Sequence, residues 1–250
     1  MTVVEAVVLD IEGTVVSISF VKDELFPFAR RNVHAYLETH WGDPELMAIV
    51  SQLHTQACRD AEDGPVPPVG NPEETSAEAL RSQLEANVLW QMDADRKAAP
   101  LKALQGLVWK EGYASGQLRA LLYPDVVPAL TAWKCHRGLP LFIYSSGSVQ
   151  AQQLLFGHTT EGNITGLLDG YFDITTAGAK TDAQSYVAIT RVIGRDPSRI
   201  LFLTDVVAEA QAAREAGLQV RLVVRPGNAP LTDDQKTAFQ HVTSLDQIQQ

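Results

Sequence analysis

The segment Val3-Val4-Glu5-Ala6-Val7-Val8-Leu9-Asp10-Ile11-Glu12-Gly13-Thr14 decides the architecture. Its nearly continuous apolar run is what a strand buried on both faces of a parallel sheet requires, and it stops abruptly at an acid and then a glycine. Outward from it the period changes. Leu25, Ala29, Val33, Tyr36 and Leu37 recur at helical spacing from Asp23 to about His40, with Pro27 tolerable in a first turn. Leu46, Ile49, Leu53 and Ala57 continue the helical pattern. Pro65, Pro67, Pro68, Gly70 and Pro72 then break it across Gly64–Pro72. Two more helical patterns follow, Ala77–Leu80–Leu84–Val88 and Leu101–Leu104–Val108. After Tyr123-Pro124-Asp125 strands and helices alternate. Helices are expected near Val126–His136, from about Val149, at Ala183–Ile193 and at Val207–Ala216. Strands are expected at Leu139–Tyr144, Tyr171–Thr175, Ile200–Thr204 and Leu218–Val224. That alternation predicts a parallel α/β sheet with right-handed crossovers. The sheet domain is split, residues 1–16 joining 121–250, with an all-helical insertion over 17–120 placed directly after the first strand.

The bulk properties exclude several classes. The 250 residues carry 20 basic and 30 acidic side chains, a net charge of −10, without a cluster of Lys and Arg. Nucleic acid and an anionic membrane surface are therefore not expected partners. No apolar run approaches the ~20 residues that cross a bilayer. The start lacks a basic segment followed by an apolar one, and only Cys58 and Cys135 are present. A reduced, cytoplasmic setting is the expectation, with no disulfide scaffold or structural zinc. A monomer is compatible with this sequence, which does not fix the oligomeric state.

Ligands of open α/β sheets collect beyond the carboxyl ends of the strands, and polar residues stand out there. The first strand ends in Asp10-Ile11-Glu12-Gly13-Thr14 and the second in Tyr144-Ser145-Ser146-Gly147-Ser148. A later strand ends in Leu203-Thr204-Asp205, and Lys180 lies in a connection between the last two. Each has an ordinary structural reading when taken alone. Asp10 and Gly13 suit a turn, Ser145, Ser146 and Asp205 suit helix N-caps, and Lys180 suits solvent. Together they bring three carboxylates, a hydroxyl and an ammonium toward one crevice. Carboxylates so close cannot all stay ionised without a cation, and a hard divalent ion, most simply Mg²⁺, satisfies them. The chemistry this set supports is phosphoryl transfer: Asp10 attacks phosphorus, Lys180 and the cation offset the charge repulsion, and Ser145 holds phosphate oxygens. Residues two apart on a strand share a face, which directs Glu12 toward the same site as an acid/base.

These motifs resemble those of the haloacid dehalogenase superfamily. Within it, Asp10-Ile11-Glu12-Gly13-Thr14, Ser19-Phe20-Val21-Lys22-Asp23, Tyr144-Ser145-Ser146-Gly147-Ser148, Leu155-Phe156-Gly157-His158 and Leu203-Thr204-Asp205-Val206 are similar to the enolase-phosphatase (acireductone synthase) family of methionine salvage. The similarity extends to Asp95-Arg96-Lys97 and Arg225-Pro226-Gly227-Asn228, and so covers nearly the whole chain. It implies an α/β fold, a Rossmann-like parallel sheet with an inserted helical cap. It also implies a phosphatase that binds one Mg²⁺ per chain. By the same resemblance Asp10 is nucleophile and metal ligand, Asp205 a second ligand, and Ser145, Ser146 and Lys180 bind substrate phosphate. Glu12 stands where most phosphatases of the superfamily have Asp, so it serves as acid/base, metal ligand or both. Val15 departs from the hydroxyl residue more usual there, and Glu209 is at most a neighbour of the metal site.

The family's substrate is a small phosphorylated diketone, 2,3-diketo-5-methylthiopentyl 1-phosphate, which is enolised and then dephosphorylated to an acireductone. No residue announces itself as the carbon base. The cap is expected to close over the crevice and set selectivity. Phe20 is a candidate contact for the methylthio tail and Lys97 for the polar end, with packing and solvated roles as the alternatives. Trp90 and Trp109 suit cap packing. A broader sugar-phosphate or phosphonate hydrolase, and a phospho-acceptor signalling or binding module, are the competing readings. The last of these lacks a helical insertion and is about half this length.

Overall fold

The computed structural model describes residues 3–248. The chain divides into two compact units, Met1–Lys22 with Leu118–Gln250, and Asp23–Gln117.

The first unit is built on a six-stranded, all-parallel sheet. In chain order its elements are β1 (Ala6–Leu9), α5 (Val126–Thr131), β2 (Leu141–Tyr144), α6 (Val149–Gly157), β3 (Gly170–Phe172), α7 (Ala183–Ile193), β4 (Ile200–Thr204), α8 (Val207–Glu215), β5 (Gln219–Val223), α9 (Asp233–Ala238) and β6 (His241–Val242). A wider π-type turn, Ala132–His136, continues α5. The spatial order is β3-β2-β1-β4-β5-β6, which puts β1 in the middle with β2 and β4 beside it. Every residue of β1 and β4 is buried, as a strand covered on both faces must be. Tyr144, Tyr186 and Phe202 stack edge to face at the centre of this core, with centroids 5.5 and 5.1 Å apart.

β1 is shorter than its apolar run. Pairing starts at Ala6, opposite Ile200, and Val3 is 75% exposed. Glu5 N still donates to Arg199 O at 2.7 Å, where the turn Pro197–Arg199 leads into β4. Beyond Val224 the sequence reading assigned nothing, and the structure adds α9 and β6. Thr232 caps α9 in a reciprocal capping box with Gln235, a T-x-x-Q signal open to sequence inspection. β6 is only two residues long and has no such signal.

The second unit is all helical: α1 (Phe26–Thr39), α2 (Pro44–Asp63), α3 (Ala77–Asp93) and α4 (Ala99–Ala114). The chain coils earlier than expected, in a π-type turn over Phe20–Leu25, and Pro27 sits in the first turn of α1. Leu37, Leu46, Leu53, Leu80, Leu84, Leu101 and Leu104 fill its core. The proline-rich break after α2 has no ladder of its own and is pinned by side chains. Asn87 Nδ2 donates to Pro67 O at 2.6 Å, and Gln83 Oε1 accepts from Gly70 N at 2.8 Å. The edges of this unit lie inside the expected 17–120 because Leu118–Tyr123 pairs with the sheet unit. Val16 bridges Leu122, Ala120 bridges Thr159, and Tyr123 N donates to Val15 O at 3.0 Å.

Candidate active site

Register places the motifs. Leu9 pairs with both Ile143 and Leu203, so Asp10, Ser145 and Asp205 leave three adjacent strands at one carboxyl edge. Asp10 N donates to Leu203 O at 2.9 Å, and Ser145 N to Phe172 O at 3.1 Å. Asp10 is buried, with 4% of its surface exposed. Lys180 Nζ meets Asp10 Oδ1 at 2.5 Å and Glu209 Oε2 at 2.8 Å. Lys180 is therefore a buried counter-charge and not a solvated one. Its loop is fixed by Tyr186 Oη donating to Lys180 O at 2.7 Å, Ser185 Oγ to Ala179 O at 2.8 Å and Tyr144 Oη to Gly178 O at 2.8 Å.

Asp205 does not cap α8. The cap position is Val206, and Thr204 Oγ1 accepts from Val206 N at 3.1 Å. Nor do Ser145 or Ser146 cap α6, where Ser148 accepts from Ala151 N. Ser145 Oγ instead accepts from Gly147 N at 3.3 Å, and Ser146 is exposed. This loop is anchored from below. Gln152 Nε2 donates to Gly147 O at 2.8 Å and Phe172 O at 2.9 Å, and Asp173 Oδ2 accepts from Val149 N at 3.0 Å.

Gly13 has φ +72°, and a Cβ there would lie 2.4 Å from Asp205 Oδ2. The turn backbone thus presses directly on the Asp205 carboxylate, an approach only glycine permits. Glu12, one residue earlier, is exposed beside this contact.

Charge is frustrated at this edge. Burial, then the charge of Asp10, pushes the Asp205 carboxyl up to about 7, with Glu12 adding to the effect and Lys180 opposing it. Glu209 rises to about 7 from burial and Asp10, against Lys180 and the 2.8 Å bond from Thr204 Oγ1. Burial works against the Lys180 ammonium, but the two carboxylates outweigh it and hold its pKa above the usual value. Glu209 shares Lys180 with Asp10, a link that its spacing four residues after Asp205 does not disclose in the sequence.

The donor set suits a hard cation. Asp205 Oδ1 is buried and accepts no hydrogen bond among the described residues. The charges that raise Asp205 are themselves carboxylates, so positive charge is what the edge lacks. No closed cage of three ligating side chains is drawn up among the described residues. Magnesium does not require one, since it binds through one or two carboxylates and keeps water or phosphate in its remaining positions.

A titration follows from the sign of the Asp205 shift. The unfolded carboxyl ionises near 3.8 and the folded one near 7, so its contribution to stability is complete below the first value and lost as pH rises through the second. With EDTA present, the melting temperature is expected to fall between about pH 4 and pH 7, at roughly 2–4 °C per kcal/mol lost. Asp205→Asn should show a shallower slope. An equal slope in the variant would contradict the assignment.

The two candidate substrate contacts, Phe20 and Lys97, fall in different units of the chain. Phe20 opens the π-type turn and is buried, its N–H donating to Ser17 Oγ at 3.0 Å. Lys97 is exposed in the helical unit, between α3 and α4. Its neighbour Arg96 pairs with Asp60 at 2.6 Å and lies 5.0 Å from the Trp90 ring, while Trp109 Nε1 donates to Leu25 O. Both tryptophans thus serve the packing of that unit.

Residues 4–217 match the model of the haloacid dehalogenase-like hydrolase family. Enolase-phosphatase E1 of Xenopus tropicalis is 49% identical over 98% of this chain and 94% of its own. The Caenorhabditis elegans Enolase-phosphatase E1 is 48% identical over 97% and 96%. The chain belongs to the enolase-phosphatase family of haloacid dehalogenase-like hydrolases. The crystal structure of the UTR4 protein of Saccharomyces cerevisiae superposes with a TM-score of 0.78 at 38% identity, covering 98% of this chain and all of that one. The parallel sheet with helices is thus a haloacid dehalogenase-like fold, and no helix among the described residues is long and apolar enough to cross a membrane.

Proposed function

We propose that the chain is a magnesium-dependent enolase-phosphatase. It converts 2,3-diketo-5-methylthiopentyl 1-phosphate to an acireductone and phosphate in methionine salvage. The observation that carries this reading is a buried Asp10 at the carboxyl end of the central strand, held at 2.5 Å by Lys180 beside the cation-demanding Asp205.

After a proton moves from carbon 1 to the adjacent carbonyl oxygen to give the enol, an Asp10 oxygen bonds to phosphorus as the ester P–O bond breaks. Glu12 gives its proton to the leaving oxygen. Water then attacks the phosphorus of the aspartyl phosphate, its proton passes to Glu12, and the P–O bond to Asp10 breaks to release phosphate. Lys180 fixes the Asp10 oxygen and offsets the negative charge that gathers, while the Ser145–Ser146 loop holds phosphate oxygens. Asp10, Asp205 and Glu12 are the residues that would hold one Mg²⁺, which when bound supplies the positive charge this edge lacks. Substrate selection is assigned to the helical cap, with Phe20, just ahead of it in the chain, as the candidate contact for the methylthio tail and Lys97 as that for the polar end.

The test is turnover of the diketo phosphate. A transient enol absorbance followed by stoichiometric phosphate is expected, with phosphate release falling on the order of 10²-fold or more in EDTA and returning with Mg²⁺. Hydrolysis of simple sugar phosphates with no enol would overturn the substrate assignment.

A further inference from the structure

Near the carboxyl end of the chain, the turn Arg225-Pro226-Gly227-Asn228 reaches back more than 200 residues to the acidic motif after β1. Asn228 Nδ2 donates to Gly13 O at 2.9 Å and to Val223 O at 3.2 Å. Arg225 Nε donates to Thr14 O at 3.1 Å. The carbonyls of the two residues after Glu12 are therefore both gripped by side chains of one turn. We infer that Arg225 and Asn228 are positioning residues for Glu12, setting where its carboxyl group stands when water attacks the aspartyl phosphate. This rests on the role proposed for Glu12 above.

The brace is rigid. Arg225 is 6% exposed; its Nη1 donates to Asp125 Oδ1 at 2.9 Å, and its Nη2 lies 2.9 Å from Asp125 Oδ2 as an ion pair. Its guanidinium also lies 4.4 Å from the Tyr123 ring centroid, and Nη1 donates to Thr243 O at 3.2 Å. Asp125 accepts further from Leu245 N at 2.6 Å and Ser244 Oγ at 3.2 Å. Burial opposes its ionisation, yet the bonds from Arg225 and Leu245 hold it below the usual carboxylate range, so the pair stays charged. The gripped turn is self-closed as well. Ile11 O accepts from Thr14, Val15 and Val16 N, and Gly13 N donates to Val16 O at 2.8 Å. A turn closed on itself can still pivot as a body about Asp10. Its contact with Asp205 through Gly13 leaves little room for a pivot, and the two side-chain bonds hold it against that carboxylate.

Asn228→Ala tests this, because it removes one grip without opening the buried Arg225–Asp125 pair. Amide exchange at Gly13–Val16 should accelerate while that of β4 stays as in the wild type. With p-nitrophenyl phosphate, whose leaving group needs no proton, the variant should release one equivalent of nitrophenolate in a burst and then turn over slowly. Its kcat should be down on the order of 10²-fold with KM falling in step, so that kcat/KM stays within about two-fold of the wild type. Arg225→Lys should give the same pattern in milder form. Leu218→Ala, a core variant away from the brace, should lower the melting temperature but show no burst. Unchanged exchange at Gly13–Val16 overturns the brace, and so does a loss of rate shared by Leu218→Ala. Faster exchange in an enzyme whose wild type hydrolyses no phosphate ester leaves the grip as a structural one. That result overturns both its link to Glu12 and the phosphatase reading.

Discussion

Asp10→Asn is expected to abolish phosphate release, by on the order of 10⁴-fold or more, while the protein stays folded. The amide keeps the shape of the carboxyl and can still accept from Lys180, but its oxygen is far too weak a nucleophile to form a phosphoryl bond. The fold should survive because Asp10 is anchored by its backbone, through the bond to Leu203 O, and because Lys180 keeps Glu209 as a partner. A second signature separates this variant from a general loss of structure. Burial is the largest cause of the rise at Asp205 and Glu209 and Asp10 the main charge adding to it, so removing that charge should lower both carboxyls while burial still holds them raised. The pH slope of stability in EDTA should then shrink. Phosphate assay and thermal melts across pH check both parts, and more than a tenth of wild-type release would remove Asp10 from the nucleophile's role. Enol absorbance that persists without phosphate release assigns proton abstraction at carbon 1 to another group.

Lys180→Met is the other large effect. It leaves Asp10 and Glu209 facing each other in a buried site with no cation of the protein's own. Breaking one side of a buried ion pair costs roughly 3–5 kcal/mol, and here one ammonium serves two carboxylates. Phosphate release should fall on the order of 10³-fold, because the charge that accumulates during transfer loses its fixed donor. Urea unfolding near neutral pH reads the stability loss. Adding Glu209→Gln to Lys180→Met removes one uncompensated carboxylate, so it should recover part of the stability and none of the activity. A Lys180→Met enzyme with unchanged unfolding and a rate within ten-fold of wild type would contradict the assigned role.

Much of the site could be read along the chain because strand ends announce themselves. An apolar run that stops at Asp10, a Ser pair after Tyr144 and an Asp after Thr204 each mark where a buried apolar strand gives way to polar residues. Their types were legible for the same reason, since carboxylates, a hydroxyl and a lysine at those ends have few structural uses in common. Less legible were features that depend on a distant partner. Glu209 reads as one more helical acid until Lys180 is seen shared between it and Asp10. Arg225-Pro226-Gly227-Asn228 reads as a polar turn until its two side chains are found on Gly13 O and Thr14 O. The early start of the first helix at Phe20 and the late start of β1 at Ala6 are of the same kind, set by what lies alongside.

The sequence by itself determined the alternation of strands and helices, the helical insertion after the first strand and the residue types at the strand ends. These follow from periodicity and local chemistry, which act over a few residues at a time. The tertiary structure alone decided the strand order and register that bring Asp10, Ser145 and Asp205 to one edge, and the displacement of acidity at Asp205 and Glu209. Only folding could press Gly13 onto Asp205 and set a grip from the carboxyl end on the turn that carries Glu12. Each of these depends on distances between residues far apart in the chain, and burial converts those distances into charge and hydrogen-bond energies that no local pattern contains.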